Sequence, residues 1–326
     1  MKASSLAFYA VVDAKHFLGA VALVNSLRAA GHEDPVHFYD CGLEAWQADI
    51  LGRVASLQPA AAEDAPPHLL KLEQPLARPA DVMVLVDADV LVLRPLEPLI
   101  APARQGAIAA FADPVKHRFR PEWSEVLDLG PLRRGRYVNA GVIAVPRAGG
   151  LEVVRIVHTG QAKVDPLRTT ETKGRPEDPF YYLDQDVWNA VLASAENPCE
   201  VEVLPGRLAP HPPFSGLISS RGDPLACEYA DGTAPLLLHH VGRKPWIQPT
   251  FESPYTRLLS HFLLSPGLPV QVDPARVPLR LRSGFLAAVE RKRTTALAAL
   301  HSQRGRLGVR RRLAARRSAR GQRAAV

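Results

Sequence analysis

Two aspartates, Asp87 and Asp89, stand two residues apart directly after an apolar run over residues 82–86. Carboxylates held so close either raise one another's pKa or bind a cation. If the segment is extended, residues i and i+2 point to the same side, and both carboxylates can reach one ion. The spacing therefore predicts a divalent metal site. A polar turn with solvated acids is the simpler alternative.

Two histidines occur much later in the chain, at the end of an apolar run over residues 236–241. Neighbours on a strand face opposite ways, so only one of His239 and His240 can reach the aspartates, and either remains open. Two carboxylates and one imidazole suit Mn²⁺ or Mg²⁺, with open positions for diphosphate oxygens. Lys244, in a turn after Gly242, is the next positive group. A lone strand histidine is more often structural, so the assignment depends on the aspartates.

The elements that must position these residues alternate along the chain. Apolar runs predict strands over residues 6–12, 36–39, 82–86, 90–93 and 235–241, and helical spacing predicts helices over 17–30, 43–54 and 183–192. Residues 137–145 are typical of a strand–turn–strand unit. This alternation predicts an α/β fold with a mostly parallel central sheet and helices on both sides. Open sheets of this class bind nucleotides at the carboxyl ends of their strands.

Composition indicates a globular protein of 326 residues, of which 47% are hydrophobic. Cys41, Cys199 and Cys227 are far apart and form no CxxC pair, which favours a reducing cytoplasm over a disulfide framework. No run of eighteen uncharged apolar residues occurs, so we expect no membrane span.

The net charge of +7 is unevenly distributed. Residues 276–326 contain 15 Lys and Arg against one acid, Glu290, and carry +14, whereas residues 1–275 carry −7. We therefore expect a globular domain over 1–275 and a basic, Arg-rich tail over 276–326 that is helical or partly disordered. Apolar tail residues recur at helical spacing and predict a basic amphipathic helix that binds an anionic membrane: Phe285, Leu286, Val289, Leu297 and Leu300. A solubilising tail or nonspecific nucleic-acid contact are the alternatives.

Four segments carry a family resemblance. Residues 86–92 (VDADVLV), 139–142 (NAGV), 183–189 (LDQDVWN) and 239–246 (HHVGRKPW) occur in the order seen in family 8 glycosyltransferases. The chain resembles glycogenin and the bacterial lipooligosaccharide galactosyltransferases over about residues 6–246. The resemblance implies a single GT-A domain, a UDP-sugar donor, Mn²⁺ (or Mg²⁺) and retention of anomeric configuration. It also implies a carbohydrate or lipid-linked acceptor and lipopolysaccharide biosynthesis. Together with the basic tail, this predicts a cytoplasmic protein that is peripheral at the inner face of the cell membrane.

The resemblance also implies roles for individual residues. The metal ligands would be Asp87, Asp89 and His239. The catalytic group would be Gln185, Asp184 and Lys71, with Gln185 near the anomeric carbon as a positioning residue, because an amide is a poor nucleophile. Donor-binding residues would be Asp13 at the uracil, Asp87 at the ribose, Asp113, Asn139 and Ala140 at the sugar, and Gly242 and Lys244 at the diphosphate. A single residue, Arg243, separates that glycine and lysine, whereas the family usually has two.

Two other functions share parts of this pattern. A haloacid-dehalogenase-like phosphatase also has a DxD after an apolar strand, but that motif normally opens the chain, and some 80 residues precede it here. A nucleic-acid-binding protein would use the basic tail, but the acidic body and the absence of a recognised nucleic-acid module argue against it. Release of UDP from UDP-sugars, as opposed to phosphate from monoesters, separates the transferase from the phosphatase.

Overall fold

The computed structural model describes residues 5–60, 70–115, 117–164, 178–219 and 225–297. Eleven strands lie within these ranges. They are β1 (Leu6–Val12), β2 (Val36–Asp40), β3 (Ser56–Pro59), β4 (Val82–Val86), β5 (Val90–Val92), β6 (Ile108–Ala112), β7 (Val138–Pro146), β8 (Val201–Leu204), β9 (Leu217–Ser219), β10 (Cys227–Tyr229) and β11 (Leu237–His239).

The described helices alternate with these strands. They are α1 (Phe17–Ala29), α2 (Ala45–Gly52), α3 (Glu73–Ala77), α4 (Glu97–Arg104), α5 (Glu122–Leu127), α6 (Gly150–Lys163), α7 (Asp184–Ala193), α8 (Pro254–Leu264) and α9 (285–297). Helix α1 ends as its sequence predicts, because Gly31 adopts φ of +86°, a left-handed conformation that glycine accepts without strain.

The central sheet has seven strands in the order β3-β2-β1-β4-β7-β6-β8. Strand β7 runs antiparallel to β4 and β6, and the other neighbouring pairs are parallel. The predicted α/β fold with a mostly parallel central sheet is therefore confirmed. The carboxyl ends of β1 and β4 lie side by side, which brings the residues after both strands to one edge.

Apolar side chains cover both faces of the sheet. Along β1, Phe8, Ala10 and Val12 join one core cluster with α1, α4 and α8, while Ala7 and Tyr9 join a second cluster with α5, α6 and α7. Alternate strand residues face opposite ways, so a strand buried on both sides is apolar throughout. This explains the continuous runs that identify β1 and β4 in the sequence.

One predicted element is wrong. Residues 137–145 form no strand–turn–strand unit, because β7 is a single strand in which all nine residues are buried. Its Asn139-Ala140-Gly141 segment contains small residues that indicate a turn in the sequence. In the fold, this segment lies where the register between β7 and β6 shifts, between the pairs Ala110–Ile143 and Ala112–Val138. Its backbone is bonded instead by Asp87 N, which donates to Gly141 O, and by the Gln185 side chain, which accepts from Ala140 N, and these contacts keep it extended.

Strand β5 leaves the central sheet and pairs with β11. The antiparallel register aligns Val90 with His239 and Leu91 with Leu238. The chain reverses direction between β4 and β5 through a turn in which Val90 N donates to Asp87 O at 3.2 Å. This small ribbon joins the aspartate motif to the late histidines.

The segment after residue 275 packs on the body over its first part. Val277 and Leu281 are buried in the same core cluster as β1 and α8, and the Arg276 guanidinium lies 3.9 Å from the centroid of the Trp46 ring. Helix α9 follows, and Leu300, with the rest of the predicted tail beyond residue 297, lies outside the described residues. The division of the chain at residue 275 stays a prediction. Among the described helices, none combines the length and hydrophobicity needed to cross a bilayer.

Candidate metal and donor-sugar site

Asp87, Asp89 and His239 meet at the carboxyl end of β4. One ligand atom from each lies within 4.8 Å of the others. The His239 Nε2 atom is 3.2 Å from Asp89 Oδ1 and 3.5 Å from Asp87 Oδ2. Such spacing allows all three groups to share one cation.

The convergence has a local cause that differs in part from the sequence expectation. The two aspartates lie in the turn between β4 and β5 and not in extended backbone, yet their carboxylates still reach one point. The ribbon register sets Val90 opposite His239, and His240 N donates to Asp89 O at 3.1 Å. His239 therefore faces the carboxylates. His240 points away, with its ring 4.7 Å from that of Tyr255.

The donor set fits a divalent ion. The Asp89 side chain is 7% exposed, and its buried Oδ1 atom faces the His239 Nε2 atom at 3.2 Å without accepting a well-aligned hydrogen bond. Two carboxylates and an imidazole are ligands that Mn²⁺ accepts readily, and Mg²⁺ is held through carboxylates as well. A cation at this point would satisfy the Asp89 oxygen.

Protonation of these groups reflects their mutual contact. Burial raises the pKa of Asp89, but the His239 imidazole and the Lys244 ammonium outweigh burial and lower it below its ordinary value. Burial lowers the pKa of His239, whereas Asp89 and Asp87 raise it to about 9. Without a metal, the imidazole therefore carries a proton at neutral pH, and a cation would replace that proton.

Two lysines pair with the two aspartates of the cluster. Lys71 Nζ lies 2.6 Å from Asp87 Oδ1 and donates to Ala140 O at 2.9 Å, and its side chain is 5% exposed. Lys244 Nζ contacts Asp89 Oδ2 and donates to His240 O at 2.9 Å. Although one residue separates Gly242 from Lys244, the lysine reaches the cluster. Gly242 adopts φ of +82°, which suits the turn between them.

A second cluster of polar side chains lies beside the first. Asn139 Nδ2 donates to Asp113 Oδ2 at 3.2 Å and to Gln185 Oε1 at 3.0 Å, and Gln185 Nε2 donates to the same Asp113 oxygen at 3.3 Å. Ala140 N donates to Gln185 Oε1 at 3.2 Å. Asp113, Asn139, Ala140 and Gln185 are thus joined in one hydrogen-bond network, which presents amide and carboxylate groups of the kind that bind hydroxyls.

Asn139 connects the two clusters. Its Oδ1 lies 3.1 Å from His239 Nδ1 and accepts from Gly141 N at 2.9 Å. With that oxygen accepting, Nδ1 carries a proton whether or not Nε2 is protonated, and Nε2 faces the carboxylates, the usual support for a metal-binding imidazole. Gly141 was not predicted as a site residue. A Cβ there would overlap His239 Cε1 and lie 2.7 Å from Nδ1, so only glycine leaves room for the ring.

Asp184 and Asp13 occupy two flanks of the site. Burial raises the pKa of Asp184 to about 6, with Lys71 lowering it and Asp87 raising it, so this carboxyl lies within the field of the cluster. The Asp13 carboxylate accepts from His16 N at 2.8 Å and lies 2.7 Å from His16 Nδ1. It follows β1 at the edge that also bears Asp87. Among the described residues, no contact joins it directly to the metal cluster.

A buried ion pair between Arg118 and Asp186, next to the Asn139–Asp113–Gln185 cluster, is not among the sequence predictions. Arg118 Nε and Nη2 donate to the two oxygens of Asp186 at 2.6 and 2.9 Å, and Tyr137 donates to Asp186 Oδ1 at 2.7 Å. Tyr182 N donates to Asp186 Oδ2 at 2.7 Å. Asp186 is fully buried. Its charge favours the amino end of α7, and its carboxylate also binds the groups of Arg118 and Tyr137. No local signal in the sequence identifies Arg118 as its partner.

Comparison with known proteins gives similarity at the level of structure. No family model matches the sequence, and no curated protein matches it. The chain is similar to WbbM, a bifunctional glycosyltransferase, with a TM-score of 0.49 and 15% identity over 82% of this chain, and it spans 50% of the length of WbbM. It is similar to an active-site mutant of LgtC (TM-score 0.49, 20% identity) over 81% of this chain and 98% of LgtC. It is also similar to the galactosyltransferase LgtC in complex with donor and acceptor sugar analogues (TM-score 0.46, 17% identity), again over 81% of this chain and 98% of LgtC.

The strand order is consistent with the GT-A fold that the sequence resemblance implies. Strands β3, β2, β1 and β4 are parallel, and the last of them, β4, ends in the aspartate turn. The antiparallel strand β7 supplies the Asn139 segment beside that turn.

Proposed function

We propose that this protein is a metal-dependent glycosyltransferase that transfers a hexose from a UDP-sugar to a carbohydrate or lipid-linked acceptor, with retention of anomeric configuration. The observation that carries the proposal is the shared contact of Asp87, Asp89 and His239, flanked by two lysines and by the Asn139–Asp113–Gln185 cluster. Neither the metal cluster nor the polar cluster is specific for this function alone. Together they would bind a diphosphate and a sugar at adjoining positions.

The proposed chemistry assigns one task to each group. A bound Mn²⁺ or Mg²⁺ would act as a Lewis acid on the departing diphosphate. Asp87, Asp89 and His239 Nε2 would hold that ion. Lys244, now in contact with Asp89, is close enough to turn towards the same diphosphate oxygens and add a positive charge.

The sugar end of the proposed site depends on positioning. Gln185 is fixed by Asn139, Ala140 and Asp113. In the proposed reaction its amide would lie near the anomeric carbon, and Asp113 and Asn139 would bind sugar hydroxyls. Lys71 holds Asp87 in place and extends the positive field over Asp184. Holding the donor and acceptor in register lowers the barrier by removing translational and rotational freedom before reaction. Asp13 would meet the uracil ring at the neighbouring strand end.

The test is release of UDP from a panel of UDP-hexoses, with and without Mn²⁺. We expect Mn²⁺-dependent release in the native protein and a loss of at least about 100-fold in Asp89→Asn. Asp49→Asn, at an exposed residue of α2, is the matched control and should keep full activity. Release of phosphate from p-nitrophenyl phosphate without release of UDP would instead favour the phosphatase.

We also propose that α9 attaches the protein to the cytoplasmic face of an anionic membrane. Phe285, Leu286 and Val289 are 80%, 68% and 49% exposed on one side of the helix, while Ala287 and Thr294 on the opposite side are buried. Lys292 and Arg293 follow Val289 by three and four residues and share its exposed face. Apolar side chains bordered by cations match a membrane interface.

Vesicle sedimentation of the full chain tests this attachment. The triple change Phe285→Ser, Leu286→Ser and Val289→Ser should lower binding to phosphatidylglycerol vesicles at least about tenfold. Ile218→Ser with Ile247→Ser removes exposed apolar residues elsewhere and should leave binding unchanged. Equal binding of the native protein and the triple variant would contradict the proposal.

A further inference from the structure

A cavity of about 550 Å³ lies beside the loop between α5 and β7. Four arginines line it, Arg118, Arg133, Arg134 and Arg136, and Glu200 is the one carboxylate among the described residues that do so. Its volume falls within the range of small-molecule sites, which is about 300–1,000 Å³. This cavity, here called the arginine cavity, has no part in the mechanism proposed above.

Three of these arginines are available to a ligand. The Arg118 guanidinium is occupied by Asp186. Arg133, Arg134 and Arg136 are exposed, and within the described part of the chain none of them forms an ion pair. The Arg134 guanidinium lies 4.7 Å from the centroid of the Phe119 ring, which restricts its position.

The backbone that carries these three arginines is anchored. Arg133 N donates to Ala193 O at 2.7 Å, and Ala195 N donates to Pro131 O at 2.8 Å, so the loop is tied to the end of α7. Its other end enters β7, where Val138 N donates to Asn189 Oδ1 at 2.7 Å. Three arginines within four residues therefore place three positive charges at the wall of this cavity, against the one carboxylate of Glu200 among its described lining residues. Planar guanidinium groups donate in pairs to phosphate oxygens, which makes a phosphoryl group the best match.

The arginine cavity lies near the proposed donor site. Asn189 lines it and donates to Gln185 O at 2.8 Å, so one turn of α7 separates the cavity from Gln185. Arg118 and Phe119 also line an adjoining cavity of about 500 Å³ together with Tyr181 and Tyr182. A ligand much larger than phosphate could therefore extend from the arginines along these aromatic side chains.

We propose that the arginine cavity binds the phosphoryl group of a phosphorylated saccharide acceptor. The role as acceptor rests on the proposed function, whereas binding of the phosphoryl group does not. Arg133, Arg134 and Arg136 supply the charge, and Glu200 and the aromatic side chains face the saccharide.

Isothermal titration calorimetry with glucose 6-phosphate, glucose and inorganic phosphate tests the site in metal-free buffer. We expect glucose 6-phosphate to bind the native protein more tightly than either other compound. The triple variant Arg133→Gln, Arg134→Gln, Arg136→Gln should bind it at least about tenfold more weakly. A matched variant, Arg53→Gln, Arg104→Gln, Arg155→Gln, removes three exposed arginines elsewhere and should bind it as the native protein does.

The outcomes separate this inference from the proposed function. Equal affinity of the native protein and the cavity variant for glucose 6-phosphate would overturn the site. Equal affinity of inorganic phosphate and glucose 6-phosphate would overturn its saccharide part. UDP release without added acceptor, measured in parallel, should be unchanged in the cavity variant. If the native protein itself released no UDP, the proposed transferase activity would be rejected, whereas the result on phosphoryl binding would still stand.

Discussion

Gly141 and the imidazole of His239 are in direct contact across the candidate metal site. A side chain on Gly141 would overlap the His239 ring, whose Nδ1 atom is held by Asn139. The absence of a Cβ at this point of β7 is therefore part of what directs Nε2 towards the two aspartates.

The first prediction concerns that contact. Gly141→Ala should displace the ring and weaken Mn²⁺ binding about 10- to 100-fold, the usual effect of disturbing groups that support a metal ligand. Gly135→Ala is the matched control, because a Cβ at Gly135 meets no atom within 4 Å. Titration followed by Mn²⁺ electron paramagnetic resonance measures both. Native affinity in Gly141→Ala would show that His239 is not a ligand.

The second prediction concerns pH. The pKa of His239 is raised to about 9 in the metal-free protein, so below that pH a metal ion must displace a proton. Between pH 6 and pH 8, affinity for Mn²⁺ should therefore rise about tenfold per pH unit. Calorimetry in buffers of different ionisation enthalpy should detect release of about one proton per bound ion at pH 7.5. Affinity that is independent of pH would contradict this account.

The third prediction concerns the buried ion pair between Arg118 and Asp186. Arg118→Met leaves the fully buried Asp186 without its guanidinium, and the free energy of unfolding should fall by about 3–5 kcal/mol. Arg104→Met breaks an exposed pair with Glu97 and should lower it by less than about 1 kcal/mol. Urea denaturation measures both. A similar small effect in the two variants would contradict a supporting role for Asp186.

The fourth prediction concerns Lys71. Lys71→Met removes the buried cation beside Asp87 and should lower UDP-sugar hydrolysis at least about tenfold. Because Asp87 is 40% exposed, the loss of stability should be modest, about 2 kcal/mol or less. Lys163→Met, at an exposed pair with Asp128, is the control and should affect neither quantity. Full activity in Lys71→Met would remove Lys71 from the site.

Parts of this structure could be predicted from the sequence because the signals are local. Continuous apolar runs identify β1 and β4, and helical spacing followed by glycine fixes the end of α1. The rule that neighbouring strand residues face opposite ways predicts that only one of two adjacent histidines can face the aspartates, and in the structure that residue is His239.

The remaining features depend on contacts between distant segments. Nothing near residue 90 indicates that β5 leaves the main sheet and pairs with β11. Glycine is needed at position 141 only because the His239 ring packs against β7 there. Arg118 meets Asp186 only once α7 is in place. Such pairings are set by packing, which single-sequence patterns do not encode.

Pulsed electron paramagnetic resonance of Mn²⁺ bound with UDP tests the central claim most directly. In protein labelled with ¹⁵N-histidine, the account predicts coupling of one Mn²⁺ to a histidine nitrogen and to ³¹P of UDP, with the nitrogen coupling lost in His239→Gln. Coupling to ³¹P without any histidine nitrogen, or a nitrogen coupling that persists in His239→Gln, would contradict it.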